Sequence, residues 1–354
     1  MSRFFSSKYN SLTPYTPGEQ PTDQKYIKLN TNESPYPPSP IAQMLSRQAA
    51  GKLELYSDPE CKALVNTAAS RFGIETDEII FSNGSDEVLN FAFMAFCDQN
   101  CPAVFPNITY GFYPVFAKLN NIPFEEIPLN DDFTVNINDY IGINKTIFIA
   151  NPNAPTGIAL SKEEIEKIVS SNSENVVIID EAYVDFGAES SVELTKKYDN
   201  LLVCGTFSKS RSLAGGRLGF AIGNKALIGD LNTIKYSTNP YNVNRITQAA
   251  GIGALADDDY FKENCEKIQK TRKETSQRLK EIGFDMTPSK ANFIFAKHPQ
   301  ISGKELYLRL KEKGILIRHF ETELLKDYNR ITVGNDEQMQ IFTETVKQIL
   351  EEKL

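Results

Sequence analysis

The 354-residue chain is poor in the residues that metal centres and histidine-dependent hydrolases need. Its two histidines, His298 and His319, leave little for a histidine-rich metal site or a Ser-His-Asp hydrolase. Its five cysteines are scattered: Cys97 and Cys101 are too far apart for a CxxC redox pair, and no second pair completes a zinc site. We therefore expect reduced thiols, no bound metal and a cytoplasmic protein.

Other absences narrow the class of function further. No run of apolar residues approaches the ~18 that a membrane span needs, and "MSRFFSSKYN" at the start lacks the apolar segment and cleavage site of a signal peptide. The net charge is −8 and no basic stripe is present, so neither a membrane nor a nucleic acid is an expected partner. No GxGxxG follows the first strand, and "GGRLG" precedes a strand rather than a helix, which argues against a nicotinamide-binding sheet.

The chain does contain a regular alternation of helices and short apolar strands. Residues 1–40 are rich in proline and polar residues, which predicts an extended arm that belongs to a small domain. In residues 41–240, apolar runs such as "TIFIA", "NVVIID" and "LLVCGTF" alternate with helical patterns, which predicts a large α/β domain around a mostly parallel sheet. Residues 241–354 predict a linking helical region, broken at most once near Asp257–Asp259, and a small α+β domain with one strand in "GILIRHF" (314–320).

Polar residues follow several of these strands, at the edge where a parallel sheet gathers its ligands. In "FSNGSDEVLNFAF" (81–93) we expect a helix to start near Ser85, capped by Ser85 or Asp86, with free amides that bind a phosphate. A merely well-capped helix is the alternative. "NPNAPTG" (151–157) is a rigid loop that can present an amide side chain to a ligand.

Two further strand ends carry charged residues. In "VVIIDEAY" (176–183), Asp180 ends an apolar strand and must be paired or become protonated, and Tyr183 can aim at the same place; an N-cap is the alternative for Asp180. In "TFSKSRSLAGGRLG" (206–219), Lys209 is either a surface lysine or a nucleophilic amine in an apolar cleft, and Arg217 offers a planar fork to a phosphate. Together these residues predict a binding site for a phosphorylated heteroaromatic aldehyde that is held as a Schiff base.

The chain resembles the fold-type-one aminotransferases that depend on pyridoxal 5′-phosphate, and within them the histidinol-phosphate aminotransferase group. The resemblance runs nearly end to end, in "LTPYTPGEQ", "IKLNTNESPYPPSP", "YSDPE", "NGSDE", "TYGFY", "NPNAPTG", "DEAYVDF", "TFSKSRSLAGGRLG" and "NRITVG". It implies the α/β fold of these transferases, with a large mostly parallel sheet domain and a smaller α+β domain.

The resemblance also implies roles for individual residues. Lys209 would bind the cofactor aldehyde and move a proton between Cα and C4′, Asp180 would pair with the ring nitrogen, and Tyr183 would donate to the ring hydroxylate. The other cofactor contacts it implies are Gly84, Ser85, Asp86, Thr206, Ser208 and Arg217 at the phosphate, Tyr110 on the ring face, and Tyr56 from the neighbouring subunit of a homodimer.

The implied reaction is transfer of the amino group of L-histidinol phosphate to 2-oxoglutarate. Arg330 would bind the glutamate carboxylate or the substrate phosphate, with Arg318 and Tyr15 as the next candidates for the phosphate. A surface arginine on an edge strand is the alternative for Arg318. Asn32 and Glu33 would lie near the substrate entrance.

One position departs from the family pattern. The asparagine that usually supports the ring hydroxyl is replaced by Ala154, so either Asn153 reaches across or Tyr183 acts alone. Two alternative activities stay open on the same scaffold, an aromatic amino acid aminotransferase and a threonine-phosphate decarboxylase. A binding protein without turnover is the third alternative, although it would be expected to lack the lysine or the aspartate.

Overall fold

The computed structural model describes residues 2–10 and 12–352. Its helices are α1 (Pro40–Ala50), α2 (Lys62–Phe72), α3 (Ser85–Phe96), α4 (Tyr113–Leu119), α5 (Lys162–Ser171), α6 (Lys225–Thr238), α7 (Arg245–Ala256), α8 (Asp258–Glu281), α9 (Gly303–Glu312) and α10 (Asp336–Glu351). Its strands are β1 (Ile27–Lys28), β2 (Ile79–Asn83), β3 (Ala103–Pro106), β4 (Phe124–Ile127), β5 (Thr146–Ala150), β6 (Val177–Asp180), β7 (Leu201–Thr206), β8 (Leu218–Gly223), β9 (Asp285–Met286), β10 (Phe293–Lys297), β11 (Ile315–Leu316), β12 (Arg318–His319) and β13 (Asn329–Thr332).

A seven-stranded sheet in the order β2-β8-β7-β6-β5-β3-β4 forms the centre of the larger part of the molecule. The five strands from β7 to β4 run parallel, whereas β8 is antiparallel to both β7 and β2. The strands β5, β6 and β7 are buried along their whole length, because helices cover both faces of the sheet. The predicted α/β fold with a mostly parallel sheet is confirmed.

The two faces of this sheet carry separate hydrophobic clusters, since successive strand residues point to opposite sides. Phe148 packs on one face, where its ring stacks on Phe93 of α3 with 4.0 Å between the ring centroids. Ile147 and Ile149 pack on the other face, against Ile165 of α5. The helices therefore hold the strands in register and fix the positions of the loops that follow them.

The smaller part of the molecule is an antiparallel sheet in the order β12-β13-β10-β9, packed with α8, α9 and α10. The N-terminal arm joins it through β1, which pairs in parallel with β11. This pairing supports the predicted division into 1–40, 41–240 and 241–354, which stays a prediction. Met1, Ser11 and residues 353–354 of those ranges lie outside the described residues.

Some predicted elements differ from the observed ones. The segment 314–320 forms two short strands instead of one, because the chain changes partner between Leu316, which pairs with β1, and Arg318, which pairs with β13. The helical region after residue 240 is broken once, at Asp257, as predicted. Across the described ranges, no helix is long and apolar enough to cross a membrane.

Candidate active site

Two adjoining cavities lie at the carboxyl ends of the parallel strands. The first cavity has a volume of about 440 Å³ and the second of about 500 Å³. They share the residues Thr31, Tyr110, Ala154, Tyr183 and Lys209. The first cavity also contains Ser85, Asp86, Asp180, Thr206, Ser208 and Arg217, and the second also contains Tyr15, Asn32, Arg318 and Arg330. Most of the predicted site residues are therefore brought together.

Asp180 is a buried carboxylate at the end of β6 that faces the first cavity. It accepts hydrogen bonds from the Tyr113 hydroxyl at 3.2 Å and from the backbone N–H of Ala182 at 3.1 Å. Burial raises the pKa of Asp180 to about 6, because these two neutral donors only partly offset the loss of hydration. A cationic ring nitrogen in the cavity would supply the missing positive charge. Tyr113, the second tyrosine of "TYGFY", was not selected from the sequence.

Lys209 follows β7 and borders both cavities. Its Nζ lies 3.3 Å from the carbonyl oxygen of Thr31 and 5.8 Å from the centroid of the Tyr183 ring. The next residue, Ser210, is buried and donates to the carboxylate of Asp185 at 2.5 Å, which anchors the loop on one side of the lysine. The amine thus reaches the point where the two cavities meet, and its hydrogen-bond partner there is a neutral carbonyl.

The start of α3 differs from its prediction in one respect. The helix begins at Ser85 as predicted, but its N-cap is Gly84, with φ of 80°, and no side chain caps it; the capping roles predicted for Ser85 and Asp86 are wrong. Asp86 instead accepts hydrogen bonds from the Tyr110 hydroxyl at 2.5 Å and from Arg217 at 2.8 Å. The first amides of the helix are therefore left for an anion.

Glycines allow the arginine and the helix end to approach each other closely. A Cβ on Gly84 would collide with the guanidinium of Arg217, and a Cβ on Gly219 of β8 would collide with the backbone of Gly84. Thr206 and Ser208 complete the same end of the cavity, where the two hydroxyl groups are 3.0 Å apart. Helix amides, hydroxyls and a guanidinium are the groups that bind a phosphate, so this end fits one.

The second cavity contains two arginines from the smaller part of the molecule. Arg330 of β13 donates from Nη2 to the carbonyl of Asn30 at 3.1 Å, while its buried Nε has no partner among the described residues. Burial lowers the pKa of Arg330, and the nearby charge of Arg318 lowers it further. Arg318 donates to the carbonyls of Thr16 and Pro17, each at 3.3 Å. The hydrogen bonds of these two cations within the described residues go to backbone carbonyls, which makes this cavity suitable for an anion.

Aromatic rings form the walls between these charged groups. The ring of Tyr15, predicted as a substrate contact, stacks on Phe112 with 4.2 Å between centroids and borders the second cavity. Tyr110 lies edge-on to Tyr113, at 5.8 Å, and borders both cavities. These placements are compatible with the roles predicted for the two tyrosines.

Three predicted site residues, Gly84, Asn153 and Tyr56, line neither cavity; Gly84 lies directly before the start of α3. The side chain of Asn153 donates to the carbonyl of Ile108 at 2.8 Å and accepts from the hydroxyl of Thr109 at 2.9 Å, so its amide holds two loops together. This geometry speaks against the predicted contact of Asn153 with the cofactor ring. Tyr56 is 80% exposed and stacks on Tyr241, with 4.6 Å between the ring centroids.

Comparison with known proteins gives full-length matches. Residues 24–346 match the family model for aminotransferase class I and II. The histidinol-phosphate aminotransferase of Brachyspira hyodysenteriae is 53% identical over 352 residues, which is 99% of each chain, and that of Clostridium botulinum (strain Kyoto / Type A2) is 46% identical over 351 residues, also 99% of each. The solved histidinol-phosphate aminotransferase of Sinorhizobium meliloti, in complex with pyridoxal-5′-phosphate, is 25% identical and has a TM-score of 0.89 over 99% of each chain.

Proposed function

The chain belongs to the class I and II aminotransferases, and from this premise we propose that it moves the amino group of L-histidinol phosphate to 2-oxoglutarate in histidine biosynthesis. The chain is an aminotransferase that depends on pyridoxal 5′-phosphate, as its relatives and the cofactor-bound structure of one of them support. The family, the fold class, the enzyme class and the cofactor predicted from the sequence are confirmed.

The residues of the first cavity fit the cofactor. When bound, pyridoxal phosphate supplies an electron sink for the bonds at the amino-bearing carbon of the substrate. The helix amides of Ser85 and Asp86, the hydroxyls of Thr206 and Ser208, and Arg217 would hold its phosphate. Asp180 would hold its ring nitrogen, because a buried carboxylate whose pKa is raised to about 6 gains most from a cationic partner.

The chain's own groups would then carry the proton transfers. The amine of Lys209 would remove the proton from the amino-bearing carbon of the substrate and deliver it to C4′ of the cofactor. Tyr183 would donate its hydroxyl proton to the ring oxygen, and Tyr110 would cover the ring face. These assignments rest on the positions of the side chains around the first cavity.

Arg330 and Arg318 would select the substrate. Both arginines border the second cavity, and Lys209 lies between them and the phosphate end of the first cavity. Either the phosphate of histidinol phosphate or a carboxylate of 2-oxoglutarate would satisfy the unpartnered Nε of Arg330. One pair of cations can thus serve two anionic substrates in turn, with Tyr15 and Asn32 beside them.

A homodimer is the assembly we propose. The exposed Tyr56 would reach the cofactor phosphate of a second copy, since its ring borders neither cavity of its own chain. The cytoplasmic location expected from the sequence remains a prediction.

The observation that carries the proposal is the convergence of Lys209, Asp180 and Arg217 on one cavity. An absorbance scan of the purified protein should show a cofactor chromophore that borohydride fixes to the peptide containing Lys209. Histidinol phosphate should bleach the chromophore, and 2-oxoglutarate should restore it. Release of carbon dioxide without a keto acid would favour a decarboxylase, and a preference for aromatic amino acids would favour the other aminotransferase. A colourless protein that takes up no cofactor would reject the proposal.

A further inference from the structure

The hydroxyl of Tyr183 has one hydrogen-bond partner among the described residues, and that partner comes from the N-terminal arm. The side-chain amide nitrogen of Asn32 donates to the Tyr183 oxygen at 2.9 Å. Asn32 is 1% exposed and has a left-handed backbone, with φ of 55°. Asparagine tolerates this backbone conformation better than most residues, so the position suits both the turn and the contact.

The orientation of the Asn32 amide follows from its other neighbour. The hydroxyl of Thr332 accepts a hydrogen bond from the backbone N–H of Asn32 at 2.9 Å, and it donates its own proton to the side-chain oxygen of Asn32 at 3.1 Å. Since a backbone N–H can only donate, the hydroxyl proton is directed towards the side-chain oxygen. The amide nitrogen is left facing Tyr183, and Thr332, 2% exposed, has no access to solvent that would loosen the arrangement.

The ring of Tyr183 is fixed by apolar contacts where the family usually has an asparagine. Ala154 forms a small buried cluster with Ala291 and Phe293, against which Tyr183 packs. The rings of Tyr183 and Phe293 meet edge to face, with 5.1 Å between centroids. Ala154 offers no donor to the first cavity, so the Tyr183 hydroxyl is left as the donor to the ring oxygen on this side.

We propose that Asn32 is the positioning residue for the Tyr183 hydroxyl and replaces, through Tyr183, the support that Ala154 cannot give. By occupying an acceptor site of the phenol oxygen, the amide of Asn32 leaves the phenol proton to be donated into the first cavity. This inference rests on the proposed function, because the ring oxygen belongs to the cofactor. Lys209, Arg330 and Tyr110 are the charged or titratable groups close to Tyr183, and Asp180 lines the same cavity. Among the described residues, the hydrogen bond to the Tyr183 hydroxyl comes from Asn32 and from none of these four.

Asn32 also connects Tyr183 to the second cavity. Thr332 lies two positions after Arg330 on β13, and Arg330 donates to the carbonyl of Asn30, two positions before Asn32. The segment Asn30–Asn32 is therefore attached to β13 at both of its ends. A substrate anion bound at Arg330 would contact β13, and Thr332 on the same strand sets the orientation of the Asn32 amide.

The test is a pH titration of the absorbance of the bound cofactor. In Asn32→Asp, a carboxylate replaces the donor, so the phenol proton turns away from the ring oxygen. The ring oxygen of the cofactor then accepts one hydrogen bond fewer and becomes more basic, so the proton whose loss changes the absorbance is held more tightly. The midpoint of the titration should therefore rise by about one pH unit. Asn32→Gly removes the donor without adding charge and keeps the left-handed backbone, and it should raise the midpoint by about half as much. Introducing Ala154→Asn into Asn32→Gly should restore the midpoint, because it returns a direct donor to the ring oxygen.

A matched control separates the contact from the added charge. Asn121 is exposed, has a φ of 56° and lines neither cavity, so Asn121→Asp makes the same chemical change in the same backbone conformation outside the site. Its midpoint should equal that of the unchanged protein. An Asn32→Asp protein that binds the cofactor with an unshifted midpoint would overturn the inference and leave the proposed function intact. An unchanged protein without a chromophore would instead reject the proposed function.

Discussion

The two cavities of the active site are built in different ways. The groups that line the first cavity come mainly from the loops after neighbouring strands and from the start of α3, and the N-terminal arm adds Gln20, Thr31 and Glu33. The second cavity is assembled from the N-terminal arm, the loop 107–111 and the segments around Arg318 and Arg330. The first cavity is therefore shaped mainly by one sheet, whereas the second depends more on contacts between parts of the chain that are far apart in sequence.

This difference predicts how the two cavities divide the work. In the proposed function, the large sheet would fix the reactive end of the cofactor, where small displacements cost most. The arm and the antiparallel sheet would shape the space that accepts the two proposed substrates. Variants in the first cavity should therefore affect chemistry and cofactor binding, and variants in the second should affect substrate choice.

The largest effect is expected at Lys209. In the proposed function, Lys209→Ala removes both the amine that would bind the cofactor and the base that would move the proton, so turnover should fall by about 10³-fold or more. Lys209→Arg, which keeps the charge, should be equally inactive. Single-turnover assays with histidinol phosphate, together with borohydride labelling, measure both losses. Turnover that survives in either variant would contradict the assignment.

The second prediction is that the carboxylate of Asp180 destabilises the cofactor-free protein when it is ionised. Burial raises the pKa of Asp180 from its ordinary value of 3.8 to about 6 in the cofactor-free protein. Because the folded-state pKa is raised, the contribution of Asp180 to the free energy of unfolding is fully present below about pH 4 and is lost as the pH rises through about 6. Asp180→Asn should therefore stabilise the cofactor-free protein at pH 8 by up to about 3 kcal/mol, and change little at pH 4.

Urea unfolding of the cofactor-free protein at the two pH values checks this prediction. The same variant should weaken cofactor-dependent turnover, because the neutral amide cannot balance a cationic ring nitrogen. Equal stability changes at pH 4 and pH 8 would show that the carboxylate is already compensated in the cofactor-free protein.

The second cavity is tested by its two arginines. Arg330→Gln should lower kcat/KM for histidinol phosphate by about tenfold to a hundredfold, because a charged hydrogen bond at a buried site is lost. Arg318→Gln should cost less, about tenfold at most, since its side chain is more exposed and its present partners are two backbone carbonyls. Steady-state kinetics of both variants, with both substrates, rank the two residues. An equal loss in the two variants would contradict the difference in burial.

The smallest effect is expected at Tyr56. Tyr56→Phe removes one hydroxyl that would reach the partner's cofactor phosphate, so the Kd of the cofactor should rise only a few-fold. Tyr241→Phe, in the ring on which Tyr56 stacks, is the matched control and should leave the Kd unchanged. Titration of both variants with the cofactor measures the two Kd values. An unchanged Kd in Tyr56→Phe would contradict a site shared between two subunits.

Much of the sheet could be predicted because its signals are local. The strand Thr146–Ala150 is a continuous apolar run, and its observed bounds match the prediction. The strand Phe124–Ile127 was not predicted, because it lies at the sheet edge and contains two glutamates that an edge strand can expose. Helix α6 was also missed, since its sequence "KALIGDLNTIKYST" includes a glycine and several β-branched residues that lower helix propensity.

Prediction of the site residues was likewise limited to those with a local sequence signal. Lys209, Asp180 and Arg217 were predicted because each follows or precedes an apolar strand, and parallel strands bring such ends to one edge. The role of Tyr113 beneath Asp180 and the attachment of Asn153 to Ile108 could not be predicted, since both depend on the side-chain directions of separate loops.

The sequence by itself determined the family, the order of the motifs and most of the chemical groups that line the first cavity, because strand and helix periodicity and short turns are properties of neighbouring residues. The tertiary structure alone decided that Asn32 meets Tyr183, 151 positions away, and that Arg330 meets Asn30, 300 positions away. Such pairs form only when the arm packs on the antiparallel sheet, and no local pattern encodes that packing.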